Sequence, residues 1–483
     1  MDRKIVINYI YSTLYQLIKL VLPFFLVPYT MGHLGESVLG ISDFANNIVA
    51  WFIFFGLLGV DIYGKREIAK VRDDKDKLSK TFFELFSMQL INMSIALVAY
   101  LLYTTFFVTK DQLIYYIVCM VLMSFMFDIS WFYSGVENFK IVSIRNMAVK
   151  IIGVALIFIF VKTPADLWKF AVINSATDFI GQLFTFPELK RYIHKVPFSI
   201  KEAYKNHLLG TFILFVPTIS MTVYTTLDQT MLGAMIEDKG QVSLYKTALN
   251  FTRMFQYMIT SIDLVVMPRV ANAFANNSDQ SEINKYINIT LRFSVLLAIP
   301  AIAAMLTVSP YFFPWYLPGQ YEAMIILVAC VSPVILFNSV NNVFGIEYLV
   351  PTGKNSKYTI SVIIGAVVSV LVNFYTIPRW QGIGACIGAC IAEFTVAFVQ
   401  WIFVRKEVQI DAFPTVIKSV IASAIMGVVI YNIGALLGGY NILVNGVQAI
   451  CGILIYGVVL ILLKEKTLTG VLNSYILKKD KNV

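Results

Sequence analysis

Fourteen apolar stretches, each long enough to cross a bilayer, fill almost the whole of this 483-residue chain. A helix of about 20 apolar residues spans the ~30 Å hydrocarbon layer. Inside that layer only helices and closed barrels satisfy their own backbone polar groups. Charged residues make up 14% of the chain, well below the roughly 25% of soluble domains. The chain is therefore expected to be an all-α, polytopic membrane protein. Spans are predicted near 6–30, 40–63, 81–108, 113–135, 146–162, 168–187, 207–232, 246–267, 287–309, 322–347, 358–378, 382–404, 415–437 and 441–463.

The basic residues alternate from loop to loop. One set of connections carries Arg3 and Lys4, then Lys65, Arg66, Lys70 and Arg72, then Lys140 and Arg145, and so on to a lysine-rich tail. The opposite set is nearly bare: the loops at 31–39, 310–321 and 438–440 have no Lys or Arg, and those near 110, 239 and 379 have one each. The positive-inside bias puts both termini and every even connection in the cytoplasm, which an even number of spans allows. The net charge of +9 is the sum of these cytoplasmic loops facing anionic lipid headgroups, so no nucleic-acid partner is expected. Met1-Asp2-Arg3-Lys4 leads into an apolar run too long for a signal h-region, and no cleaved leader is expected.

The chain repeats itself weakly at about 200 residues. Gly59-Val60-Asp61 answers to Ser261-Ile262-Asp263, Gly135-Val136-Glu137 to Gly345-Ile346-Glu347, and Asn47 to Asn250. Six spans return a chain to the same side, so two pseudo-symmetric six-helix lobes are expected, 1–200 and 201–406. Two accessory helices and a cytoplasmic tail follow in 407–483. Repeat-built transporters bind substrate between repeats and rock one against the other. Pro23 and Pro28 in span 1 and Pro217 in span 7 are candidate gating bends, because each proline removes a helix hydrogen bond.

Polar residues inside the spans narrow the chemistry. A charge facing lipid at mid-depth costs at least about 2.5–3.5 kcal/mol, so it faces a partner or a watery cavity. Span 1 carries Asn8, Ser12, Gln16 and Lys19 on one helical face; span 8 carries Lys246, Asn250 and Arg253; span 2 adds Asp43 and Asn47. Lys19 and Arg253 lie deep in the predicted core, as substrate contacts or as members of ion pairs with Asp43, Asp128 or Asp178. Arg145 and Lys150 lie nearer the cytoplasmic edge, where Lys150 can also snorkel. Asp43, Asp128, Asp178 and Glu393 are ion-pair or ion-coupling candidates. Cationic cavity walls suit phosphate, which takes charge-assisted hydrogen bonds from Arg and Lys. Asn, Gln, Ser and Thr beside them suit sugar hydroxyls.

No Walker loop exists, since Gly64-Lys65 and Gly353-Lys354 lack the required neighbours. No His-Glu-x-x-His occurs, the three histidines are scattered, and His33 and His207 are expected at the interface. The five cysteines lie inside spans; Cys386 and Cys390, on the small-residue face Gly384-x-x-x-Gly388-x-x-x-Ala392, read as packing residues. Neither an enzyme, nor a metal, nor a cofactor is expected. A membrane polymerase or glycosyltransferase would need a long external loop.

Asp128-Ile-Ser-Trp-Phe-Tyr-Ser-Gly-Val-Glu137-Asn-Phe-Lys140 with Ser143-Ile-Arg145-Asn146 resembles the fourth-to-fifth-span segment of Wzx-type polysaccharide repeat-unit flippases. The opening, Asn8-Tyr9 through Pro23 and Pro28-Tyr29 to Gly32-x-x-Gly35, and Asp228-Gln-Thr-Met-Leu-Gly233 resemble that family too. Its superfamily also contains multidrug extruders and peptidoglycan lipid flippases. The resemblance implies two six-helix lobes around a V-shaped cavity in the bacterial cytoplasmic membrane. It implies transfer of undecaprenyl-diphosphate-linked oligosaccharide for surface polysaccharide, capsule or O-antigen, alongside a polymerase and glycosyltransferases. It places the binding cations on the first and eighth helices, here Lys19 and Arg253. A flippase for peptidoglycan or teichoic precursors and a drug/cation antiporter of the same fold are the alternatives; an antiporter cavity should be rich in carboxylates.

Overall fold

The computed structural model describes residues 18, 21–260, 263–275 and 280–469. Among them nine helical segments are long and apolar enough to cross a membrane, and a shorter apolar helix, α1, covers Val21–Leu34. Every regular element among the described residues is helical. The chain divides into two compact units, Met1–Gly233 with Glu237–Ser243, and Ala234–Ile236 with Leu244–Val483.

In the first unit, the helix predicted at 40–63 is two helices. Helix α2 (Glu36–Leu57) stops where Leu58 and Gly59 take left-handed backbone, φ 47° and 78°. Helix α3 (Val60–Val71) then buries Val60, Tyr63, Gly64 and Ile68, leaving Lys65, Arg66 and Lys70 outside. Gly59 is required twice over, because a Cβ there would stand 2.8 Å from the Thr211 carbonyl oxygen. Helix α4 (Lys75–Phe107) starts on Asp74, whose carboxylate accepts from the amides of Asp76 and Lys77. Its 33 residues run about 50 Å, longer than the hydrocarbon layer. The first turns, with Lys75, Lys77 and Lys80, therefore reach the interface.

The predicted span 113–135 is also broken, into α5 (Gln112–Met126) and α6 (Ser130–Gly135). A break in a buried helix leaves carbonyls without partners. Fully buried Gln89 of α4 supplies them: its amide donates to the carbonyls of Phe125 at 2.9 Å and Asp128 at 3.0 Å. Its own oxygen accepts the Trp131 indole N–H at 2.8 Å. Around this joint packs a core of α3, α4 and α6 side chains that includes Ile68, Phe82, Trp131 and Phe132. Helices α7 (Phe139–Phe160), α8 (Leu167–Leu183), α9 (Phe186–Leu189) and α10 (Ile200–Met235) follow. Prolines 23 and 28 do not break α1, and α10 runs unbroken past position 217, whose side chain lies outside the described residues.

The second unit uses the same local plan. Helix α11 (Gly240–Ile259) is followed by α12 (Asp263–Ala275), α13 (Gln280–Tyr316) and α14 (Tyr321–Val331). Pro333 interrupts the next span, which resumes as α15 (Val334–Asn341) and ends in a π-helical stretch, Asn342–Leu349. A core of Val266, Val270, Ile287, Val343 and Phe344 joins α12, α13 and that stretch, as α3, α4 and α6 are joined in the first unit. Helix α16 (Asn355–Val404) is two helices meeting at Gln381 (φ 49°), and α17 (Phe413–Leu437) and α18 (Ile442–Leu462) complete the described fold.

Candidate functional site

The α7–α8 seam of the first unit gathers several of the candidate residues. Arg145 is 8% exposed at its side chain and lies 3.9 Å from the Asp128 carboxylate. Its guanidinium also donates to the Gln182 side chain, to Ser130 Oγ at 3.2 Å and to Asn146 Oδ1 at 2.6 Å. Asp128 accepts the Ser130 amide at 2.8 Å and the Ser130 hydroxyl, so it also starts α6. Arg145 therefore ties α7 to the α5–α6 joint and to α8. Five residues along α7, Lys150 Nζ stands 3.6 Å from Asp178 of α8, both partly exposed. Beside this pair a small open cleft of about 160 Å³ is lined by Leu22, Pro23 and Leu26 of α1, Val149, Lys150, Gly153 and Val154 of α7, and Asn174 and Thr177 of α8. Near the other end of α7, the Tyr29 hydroxyl, next to Pro28, donates to the Val161 carbonyl at 2.7 Å.

Asn47 of α2 is buried against α10. Its amide donates to the Thr226 carbonyl at 3.2 Å, and its oxygen accepts the Thr230 hydroxyl at 2.6 Å. Trp51 adds an indole N–H to Thr230 Oγ at 2.8 Å. Asp43 lies part-buried one turn before Asn47. In the second unit, Glu393 of α16 is buried and accepts from Asn338 at 3.0 Å and from Asn341, both on α15.

Helix α11 presents Lys246, Asn250 and Arg253 at spacings of four and three, one face, opposite fully buried Tyr245, Ala248 and Thr252. Asn250 is exposed and Arg253 half-buried. Arg253 has no hydrogen bond or ion pair among the described residues. It differs in this from Arg145, Lys150 and Arg292, which meet Asp128, Asp178 and Asp411. Asn8, Gln16 and Lys19 lie outside the described residues. No group of three or more His, Cys, Asp or Glu side chains among the described residues could hold a metal ion.

One buried cluster escaped the sequence reading. His207, expected at the interface, is 8% exposed and bonded to Glu84, which is 4% exposed. The signal was non-local, a carboxylate on α4 meeting an imidazole 123 residues away.

Nine helical segments long and apolar enough to cross a membrane among the described residues, several carrying polar faces, define the class of polytopic membrane proteins. A family of polysaccharide biosynthesis proteins matches residues 5–274, more than half the chain. The chain belongs to that family and is a multi-pass protein of the bacterial cytoplasmic membrane. It is 23% identical over 412 residues to a protein of Escherichia coli (strain K12) named "Putative O-antigen transporter", covering 83% of this chain and 96% of the relative. A protein of the same name from Shigella dysenteriae is 23% identical over 400 residues, covering 80% and 96%. Among solved structures, the lipid II flippase MurJ in an inward closed conformation superposes with a TM-score of 0.73 at 15% identity, covering 94% of this chain and 98% of that one. An inward-facing multidrug MATE transporter superposes with a TM-score of 0.56 at 12% identity, covering 80% and 97%. These likenesses show the fold.

Proposed function

We propose that the protein moves undecaprenyl-diphosphate-linked oligosaccharide repeat units across the cytoplasmic membrane by alternating access, supplying a surface polysaccharide of the O-antigen or capsule kind. In this reading fourteen spans form two six-helix lobes, 1–200 and 201–406, with 407–483 as an appendage and both termini inside. Family membership and the relatives named for O-antigen transport support the substrate class. The observation that carries the anionic headgroup is Arg253, half-buried on the polar face of α11 without a partner among the described residues. A guanidinium held so inside a membrane protein is costly unless an anion or water meets it, and its fork geometry matches phosphate. Lys19 would take the same headgroup from span 1. Asn8, Gln16 and Asn250 would bond sugar or phosphate oxygens, and Asn47 would hold the wall they share. Arg145 and Lys150 would draw the headgroup to the cytoplasmic mouth. Asp43, Asp128, Asp178 and Glu393 would balance these cations, and Pro23, Pro28 and Pro217 would bend as the cavity reseals.

Replacement in a strain lacking its own repeat-unit flippase tests this. Restored surface glycan with loss of trapped lipid-linked intermediate is the expected result. Normal membrane insertion with the intermediate still trapped, across strains of different repeat-unit chemistry, would overturn it.

A further inference from the structure

The buried cluster on α4 and α10 has no part in the substrate reading. His207 Nε2 stands 2.9 Å from Glu84 Oε2, and its Nδ1 stands 3.1 Å from the Tyr63 hydroxyl of α3. All three side chains are buried. Gly210 of α10 makes room for the Tyr63 ring, since a Cβ there would lie 2.3 Å from a ring carbon. A carboxylate is costly to bury unless it is paired and hydrogen-bonded. Imidazole is the side chain that gains or loses its charge near neutral pH. A chain that needed only adhesion between α10 and α4 could have used apolar residues here, as it does at neighbouring positions.

The cluster has a route to water. Lys80, one turn before Glu84 on α4, places Nζ 3.8 Å from Glu84 Oε1 and 3.5 Å from the Glu202 carboxylate of α10. Lys80 and Glu202 are about half exposed, at 48% and 57%, whereas Glu84 is at 5%. Ionisable groups thus run without a gap from the surface to Glu84, His207 and Tyr63. The other charged or titratable groups nearby are already engaged. On α3, Arg66 lies over the Tyr63 ring at 5.5 Å and pairs with Glu67. On α10, Tyr204 donates to Asn92 of α4 at 2.6 Å. His194 and Asp76 form a separate exposed pair two turns nearer the start of α4.

We propose that Glu84, His207 and Tyr63 form a proton-binding site that couples proton movement to the position of α10. His207 takes a proton from the hydrated Lys80–Glu202 end and becomes imidazolium against the Glu84 carboxylate; returning that proton restores the neutral ring, and no other bond changes. The charged pair holds α10 to α3 and α4, and the neutral ring holds it less. Thr226 and Thr230, farther along α10, keep bonds to Asn47 that do not depend on a proton. One helix is therefore gripped by a proton-dependent contact near its start and a proton-independent one near its end. This rests on the transport reading above and names the ion that drives it.

The chain has three histidines, so histidine-labelled full-length protein in lipid nanodiscs gives a resolvable NMR spectrum, with His207→Gln identifying one set of signals. The His207 signals are expected to report a change of protonation state as pH is varied. In Glu84→Gln the pH response of those signals should differ from wild type, because the carboxylate that the charged ring faces is gone. A ring fixed in one state as pH is varied, or the same response in Glu84→Gln, overturns the site. Tyr63→Phe, which keeps the packing, serves if Glu84→Gln does not fold, and should change the response through loss of its hydroxyl. The second readout is the ratio of lipid-diphosphate flipping rates in proteoliposomes with and without a pH gradient. Wild type should respond to the gradient and His207→Gln should not. A gradient-insensitive wild type that still flips lipid refutes coupling, whereas absent flipping with an intact His207 titration refutes the transport reading instead.

Discussion

Arg145→Leu separates a structural role for the α7–α8 seam from a substrate role. The guanidinium holds three side chains by hydrogen bonds and lies 3.9 Å from Asp128, with its own side chain 8% exposed. Removing it leaves Asp128 with Ser130 alone and strips the Gln182 and Asn146 oxygens of a donor. Breaking a buried ion pair costs about 3–5 kcal/mol. Asp128 keeps 25% of its exposure, so water recovers part of that, and about 2–4 kcal/mol is expected. Arg145→Lys should fall between, retaining the charge and losing the fork. Thermal unfolding in detergent, followed by size-exclusion fluorescence at matched expression, reads the loss. Asp128→Asn combined with Arg145→Leu should cost less than the sum of the two single changes. If Arg145→Leu unfolds at the wild-type temperature and abolishes transport, its partners do not stabilise the fold and the residue acts on substrate.

Gln89→Leu should destabilise the first unit by at least about 3 kcal/mol, because it leaves the Trp131 N–H and the Phe125 and Asp128 carbonyls buried and unpaired at roughly 1–3 kcal/mol each; Gln89→Leu with Trp131→Phe should recover part of the loss in the same unfolding assay. Glu407, beyond the end of α16, joins Lys354, Lys357 and the Tyr348 hydroxyl. Burial raises its carboxyl, but the bonds from Lys354 and Tyr348 and the charges of the two lysines outweigh burial and hold it below the ordinary carboxylate range. A lowered folded-state value stabilises above the unfolded value, about pH 4.3, and that stability is lost as pH falls through the lowered one. Glu407→Gln should therefore lower the unfolding temperature at pH 7 and converge with wild type toward pH 3.

The helical class, the apolar spans and the polar face of α11 were legible because each is a local, periodic property. The breaks were not. Averaged hydropathy stays high across Gln112–Gly135 in spite of Asp128, and what permits the break is Gln89, a polar residue inside an apolar run whose partners lie 36 to 39 positions away. At the α2–α3 joint the glycine was visible, but the Thr211 carbonyl that demands it is distant in sequence. Of the short repeat motifs, Gly59 sits at the α2–α3 joint and Gly135 ends α6, whereas Gly345 lies inside the π-helical stretch and part of the 261–263 motif lies outside the described residues. A polar stripe cannot say what it faces. Asn47 and Arg253 read alike, yet Asn47 is spent on Thr226 and Thr230, and Arg253 meets no partner among the described residues. His207 read as interfacial for the same reason, with its carboxylate on a different helix.

Binding of undecaprenyl diphosphate by purified wild type and Arg253 variants, followed by native mass spectrometry with undecaprenyl monophosphate as the comparator, tests the anion-binding role most directly. Loss of charge-assisted bonds worth about 1.5–3 kcal/mol should weaken diphosphate binding about 10- to 100-fold in Arg253→Ala. Arg253→Lys should lose less, and the monophosphate should be less affected in both. Equal diphosphate affinity in wild type and Arg253→Ala would contradict the assignment of this arginine to the headgroup.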